Sequence, residues 1–299
     1  MENTQIISGR SGVQAYFQPA AGRYHLLIME DANGLFDDPE GYYPPTPPPQ
    51  VTSHVMKSGK TITLHTVGQS ALDAHHVWNG SRVISDYFET HLDEIQGRTV
   101  LELGAGAGLA SISAAILGAA KVVVTDFPDA DLIVNLKKNI LGCEFIPGIT
   151  PTSFNDDGGD DNGTSSAGRV IDVDGFVWGA NPDHLLKRLQ PGHGDKFDVL
   201  ILADLLFRHS EHGKLVKTVE ETMSTKPGST AYVVFTSYRP WLQERDLGFF
   251  DVARERGFVV DKFLEVKMDK VLFEEDPGDE EVRKTVTGWT LRWPADKCT

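Results

Sequence analysis

Short apolar runs and helical periods take turns along most of this chain. Residues 99–103, 121–125, 197–203 and 230–235 are dense in Val, Leu, Ile and Ala, which is the pattern of strands buried on both faces of a sheet. Between and after them, residues 109–119, 131–141, 212–223 and 241–256 repeat apolar positions at helical spacing, and Gly142 and Gly257 stop two of these segments. Residues 169–173 resume a strand that exits through Phe176-Val177-Trp178. Residues 258–266 and 285–293 close the pattern as two strands. Only an acidic loop at 274–281 lies between them, so they are expected to pair antiparallel. Upstream, residues 51–56 and 61–67 flank the turn-like Lys57-Ser58-Gly59-Lys60 and predict a β-hairpin. Residues 82–91 predict an amphipathic helix with Val83, Ile84, Tyr87 and Phe88 on one side. Repeated strand–helix alternation predicts an α/β fold, a mostly parallel sheet with helices on both faces and an antiparallel last strand.

Two stretches fall outside the alternation. Residues 1–50 have no sustained period and end in Pro44-Pro45-Thr46-Pro47-Pro48-Pro49, so they are read as a partly disordered N-terminal arm ahead of a domain at 51–299. Met29 opens an acidic string, and residues 1–28 are therefore weighed as an extension with no structural role. Residues 151–167 enclose a Gly, Asp, Asn and Ser run that cannot build a core, and they are read as a disordered surface insertion.

Charge and cysteine content narrow the function classes. A net charge of −15 disfavours non-specific binding to nucleic acid or to an anionic membrane and is compatible with a basic partner. Cys143 and Cys298 are the only cysteines, so no disulfide framework is implied. Residues 1–13 lack the apolar core of a signal peptide, and no apolar run approaches membrane-spanning length; the expected location is the cytoplasm, and the expected state a monomer.

The candidate chemistry sits at strand ends, where open α/β sheets bind ligands. The first strand enters Glu102-Leu103-Gly104-Ala105-Gly106-Ala107-Gly108, whose glycines let the backbone turn sharply and approach a ligand. A dinucleotide fingerprint would need a glycine at Leu109, which makes a nicotinamide oxidoreductase a distant alternative. The second strand ends at Asp126, a carboxylate able to accept two hydrogen bonds from a ribose diol. The third exits at Trp178, an aromatic face for a base. The fourth exits at Ala203-Asp204-Leu205-Leu206-Phe207, where Asp204 is suited to hold an ammonium and Phe207 to wall its channel. Trp78, just ahead of the amphipathic helix, reads on its own as either a core anchor or a ligand contact. His209 and His212 lie three apart, with His75 and His76 elsewhere, but no Cys or Glu pair stands at ligand spacing, so no metal site is expected.

These residues resemble the seven-β-strand protein methyltransferases of methyltransferase family 16. The resemblance rests on the glycine turn with its preceding acid, on Asp126, and above all on Asp204-x-x-Phe207, which matches that family's Asp/Glu-x-x-Tyr/Phe signature. Leu35 to Gly41, Thr125 to Leu132 and Arg239-Pro240-Trp241-Leu242 extend it from about Leu35 to Trp293. It implies a class I methyltransferase fold with a seven-stranded Rossmann-like sheet and S-adenosylmethionine as cofactor. By resemblance the cofactor would be held by Trp78, Glu102, Gly104, Ala105, Gly106, Asp126, Trp178 and Ala203. The implied substrate is the N-terminal glycine amine and adjacent lysine of translation elongation factor 1-alpha, positioned by Asp204 and Phe207. Attack by a neutral amine needs positioning more than a dedicated base, so no catalytic residue is assigned. A small-molecule amine methyltransferase, nicotinamide-like, and a non-catalytic binding module on the same fold stand as alternatives.

Overall fold

The computed structural model describes residues 48–68, 70, 73–150, 153–154 and 169–299, together with the backbone of three strands nearer the N-terminus. Those strands, β1 (Gln5–Ser8), β2 (Gln14–Ala20) and β3 (Arg23–Leu27), form an antiparallel meander in a region where the sequence shows no period. The remainder of the proposed arm up to residue 47 and the run at 155–168 lie outside the described residues.

The expected hairpin is present as β4 (Val51–Val55) and β5 (Thr61–His65). The main sheet consists of β6 (Thr99–Leu103), β7 (Lys121–Asp126), β8 (Ile171–Gly175), β9 (Val199–Ala203), β10 (Thr230–Phe235), β11 (Val259–Lys267) and β12 (Thr285–Arg292). Its order is β11-β12-β10-β9-β6-β7-β8. All pairings are parallel except those of β12, which runs antiparallel between β10 and β11. This is the seven-stranded, mostly parallel sheet with an antiparallel last strand that the resemblance implies.

The continuous apolar strands are explained by the two-residue period of a pleat, which sends neighbouring side chains to opposite faces. Val100, Val122, Val124 and Ile201 join a core under α1 (Asn79–Thr90), α2 (Leu109–Ile116) and α3 (Ala130–Leu141), where Phe88, Ile112 and Leu136 cover them. Leu101, Val123, Leu200 and Leu202 join the opposite core under α5 and α6, which follow a short α4 (Asp183–Leu186). There α5 (His212–Thr222) contributes Leu215 and Val219, and α6 (Gln243–Glu255) contributes Phe249 and Phe250. Each such side chain contributes about 1.5–3 kcal/mol on burial, which is why neither face tolerates polar alternation.

Several boundaries differ from the sequence reading: the helix expected at 109–119 ends at Ile116, the strand expected at 197–203 begins at Val199, and three further differences have a physical reason in the contacts. The first helix starts at Asn79 instead of residue 82, because its N-terminal N–H of Gly80 is satisfied by Asp204, far along the chain, and not by a local cap. The strand expected at 169–173 runs over Ile171–Gly175, since Arg169 turns inward to pair with Asp172 and to donate from Nη1 to the Ser153 carbonyl. The helix expected at 241–256 is preceded by a separate tight turn at Pro240–Leu242, where the proline supplies no N–H. A last short helix, α7 (Glu280–Arg283), sits within the acidic β11–β12 connection. Among the described residues, no helix is long and apolar enough to cross a membrane.

Candidate active site

The chain builds β6, β7 and β8 toward one edge and then returns to place β9 on the other side of β6. A crevice opens at the carboxyl ends of strands where the order reverses in this way. There the structure holds a cavity of about 310 Å³, and all ten residues singled out from the sequence line it. Trp78 enters from ahead of α1; Glu102 from β6 itself; Gly104, Ala105 and Gly106 from the turn after it; Asp126 from β7; Trp178 from beyond β8; Ala203, Asp204 and Phe207 from the β9 exit.

The glycine turn is a backbone device. Gly104 has φ +62°, and a Cβ there would lie 2.6 Å from Leu205 Cδ2 and 3.2 Å from Trp178 Cζ2. Gly106 has φ +56°, yet a Cβ there would meet nothing within 4 Å. The first glycine is thus demanded by packing and conformation, and the second leaves an open cradle. Asp126 fixes the cradle from the side: its Oδ2 accepts from Gly106 N at 2.7 Å and its Oδ1 from Phe127 N at 2.7 Å. Burial nevertheless pushes the Asp126 carboxyl above its ordinary range. Glu102, buried beneath the turn, accepts from Ser111 N at 2.9 Å and so satisfies a free donor in the first turn of α2; burial raises its pKa to about 7.

Residues 57–144 match the family described as lysine methyltransferase. Over 268 residues the chain is 59% identical to the protein N-terminal and lysine N-methyltransferase of Neurospora crassa, covering 89% of this chain and 90% of the relative. The Gibberella zeae protein of the same name is 54% identical over 270 residues, covering 88% and 96%. The Schizosaccharomyces pombe one is 38% identical over 265 residues, covering 87% and 95%. The chain belongs to this methyltransferase family.

In the methyltransferase, Asp204 carries more of the architecture than its sequence position implied. It adopts φ +54°, unusual for a residue with a side chain. Its Oδ2 accepts from Gly80 N at 2.5 Å, its Oδ1 from Thr236 N at 2.9 Å, and its own N–H donates to Val234 O at 2.8 Å. One carboxylate thereby clasps the start of α1 and the end of β10 to the end of β9. Its burial raises the pKa to about 7 against those two hydrogen bonds. Gly80 is required by this clasp, since a Cβ there would lie 2.6 Å from both Asp204 Oδ2 and Val234 O.

The other end of the cavity is aromatic. The Trp78 and Phe207 rings lie 6.5 Å apart and nearly parallel, at 19°. Trp78 Nε1 donates to Asp73 O at 2.9 Å, which sets the orientation of the indole. Tyr238 packs against Trp78 at 5.0 Å, and Phe273, from the β11–β12 connection, at 5.6 Å. His76 meets Phe273 edge-on at 4.9 Å and lines the same cavity. Behind Phe207, Arg239 donates to its carbonyl at 3.0 Å. Asp246 receives Ser237 Oγ at 2.8 Å and lies 2.7 Å from His209 Nε2. His212 Nε2 lies 2.8 Å from Leu206 O, so both histidines weighed as metal ligands brace the loop after β9.

Sequence reasoning weighed His76 only as a metal ligand and did not find Gly80, Tyr238 or Phe273. His76 and Gly80 flank Trp78 in a stretch with no period, and Tyr238 and Phe273 reach the site from segments that meet it only in the folded chain.

Proposed function

We propose that this methyltransferase uses S-adenosylmethionine to methylate a protein amine, namely the N-terminal glycine amine and adjacent lysine of translation elongation factor 1-alpha. The observation that carries the reading is the single cavity in which a glycine cradle and a buried carboxylate stand at one end and a pair of near-parallel aromatic rings at the other. The relatives' names support the choice of protein N-terminal and lysine amines.

The residues present fit the cofactor. Gly106 leaves room for close approach of a ligand to the turn, and Asp126 retains a second lone pair on each oxygen for vicinal ribose hydroxyls. Trp178, packed on Gly104, offers a face for adenine, while Glu102, Ala105 and Ala203 complete the floor. When bound, S-adenosylmethionine supplies an electrophilic methyl group on a sulfonium. Trp78 and Phe207 then align the acceptor, and proximity does most of the catalytic work. Asp204 acts from behind by holding α1, β9 and β10 in register, so that the aromatic walls keep their spacing. Both rings are partly exposed, so the acceptor end reaches solvent and suits the end of a polypeptide.

The test is transfer of label from S-adenosylmethionine in a lysate, followed by mapping of elongation factor 1-alpha from cells with and without this gene. Methyl groups on its N-terminal peptide that vanish with the gene are expected. Label confined to small molecules would favour the nicotinamide-like alternative and defeat the proposal.

A further inference from the structure

An acceptor amine must shed a proton before it can attack. A terminal amine with a pKa of about 8 and a lysine of about 10.4 are mostly charged at neutral pH. The ionisable groups lining the cavity differ in their freedom to take that proton. Asp126 and Asp204 each hold two backbone N–H groups, Glu102 holds that of Ser111, and Glu211 lies 2.9 Å from Lys214 Nζ. Arg208 is a cation. Asp73 and His76 remain, and carboxylates as a class are far weaker bases than imidazole.

His76 stands at the aromatic end. Its ring lies 5.7 Å from Trp78 and 4.9 Å from Phe273, and it is half-buried in the cavity wall. Its ring nitrogens have no hydrogen-bond partner among the described residues. We infer that His76 is a catalytic residue that accepts the proton of the acceptor ammonium, an inference that rests on the protein-amine reading of the site.

The ammonium N–H bond breaks with its electron pair left on the amine nitrogen, and the proton moves to an imidazole nitrogen. The amine nitrogen then bonds the methyl carbon as the pair of the breaking carbon–sulfur bond goes to sulfur. His76 returns its proton to solvent at the cavity mouth, ready for the methylated ammonium to be deprotonated in a further round. The surroundings favour this cycle. Burial and the neighbouring His75 hold the imidazole below its usual pKa, against an opposing pull from Asp73, so it is neutral at pH 7. Arg208 and Glu211 face the same space from the β9 exit. Desolvation at the cavity's aromatic end lowers the pKa of the ammonium toward that of the acceptor, and the attraction of the ring faces for the cation opposes it in part.

The experiment compares single-turnover rates on the N-terminal peptide of elongation factor 1-alpha over about pH 6 to 10 for the wild type, His76→Ala and His76→Asn, with S-adenosylhomocysteine affinity measured by calorimetry alongside. Expected is a loss of about 100-fold for both variants at neutral pH that closes as the amine ionises by itself, with unchanged affinity and partial rescue of His76→Ala by imidazole. An equal loss at every pH without rescue, a parallel fall in affinity, or no loss at all would overturn the role. A wild type that labels no protein amine would instead bring down the reading on which the role depends.

Discussion

The two ends of the cavity are made in different ways. The end framed by the glycine turn is drawn mostly from residues 102–126, and each of its critical contacts has backbone on one side: Gly106 N to the Asp126 carboxylate, Ser111 N to the Glu102 carboxylate, and the packing of the Leu205 side chain on Gly104. The aromatic end brings together His76, Trp78, Phe207, Tyr238 and Phe273, whose contacts are ring against ring. A site made of backbone fails when one atom is added, because φ and sub-van-der-Waals distances leave no alternative. A site made of rings loses contact area by degrees. One end is thus rigid toward substitution and the other can be retuned, which is a sensible division between a constant ligand and a selected acceptor.

The largest effect is expected at the rigid end. Gly104→Val introduces a Cβ 2.6 Å from Leu205 at a positive φ, and affinity for S-adenosylhomocysteine should fall about 100-fold, or about 3 kcal/mol, with native circular dichroism. Calorimetry showing near-native affinity would break the contrast. Gly80→Ala comes next. It forces Asp204 and the Val234 carbonyl away from α1, and urea unfolding should show a loss of about 2–3 kcal/mol.

The buried acids give a smaller, pH-dependent signature. Glu102 and Asp204 take up protons near pH 7 when folded, against about pH 4 when unfolded, so the native state binds more protons between those limits. Stability therefore falls as pH rises from about 4 to about 7 and levels off above, the reverse of the trend from carboxylates with depressed values such as Glu89. Urea midpoints across this interval should fall less steeply for Asp204→Asn than for the wild type; equal slopes would show that Asp204 is charged throughout. The smallest effect is expected at the adaptable end. Phe273→Ala removes one wall, and KM for the peptide acceptor should rise about fivefold, or about 1 kcal/mol, without change in cofactor affinity. A larger fall in cofactor affinity than in acceptor KM would erase the division.

This contrast also explains what the sequence could disclose. Strands such as Thr99–Leu103 and Thr230–Phe235 were legible to the residue, because burial on both faces demands a run dense in apolar side chains with no polar alternation. The glycine turn and Asp126 were legible because backbone chemistry restricts residue type at fixed spacing. The antiparallel pairing of β12 with β11 followed from a connection with no apolar helical period, and the four-residue α7 found there is too short to serve as a crossover; the insertion of β12 between β10 and β11 did not follow, since neighbour order leaves no local trace. Asp204 was found by motif, but its clasp on Gly80 and Thr236 was hidden: those donors are backbone groups supplied by distant segments. His76, Tyr238 and Phe273 look like any core histidine, tyrosine and phenylalanine until the chain closes.

The bond from Arg169 Nη1 to the Ser153 carbonyl ties together the two ends of the stretch from 155 to 168. Phe154, buried and 4.9 Å under the Arg169 guanidinium, reinforces the tie, and Asp172 anchors Arg169 to the fully buried Lys121. With Ser153 and Arg169 held together, doubling or halving the number of residues between them changes closure entropy by only about 0.6 kcal/mol.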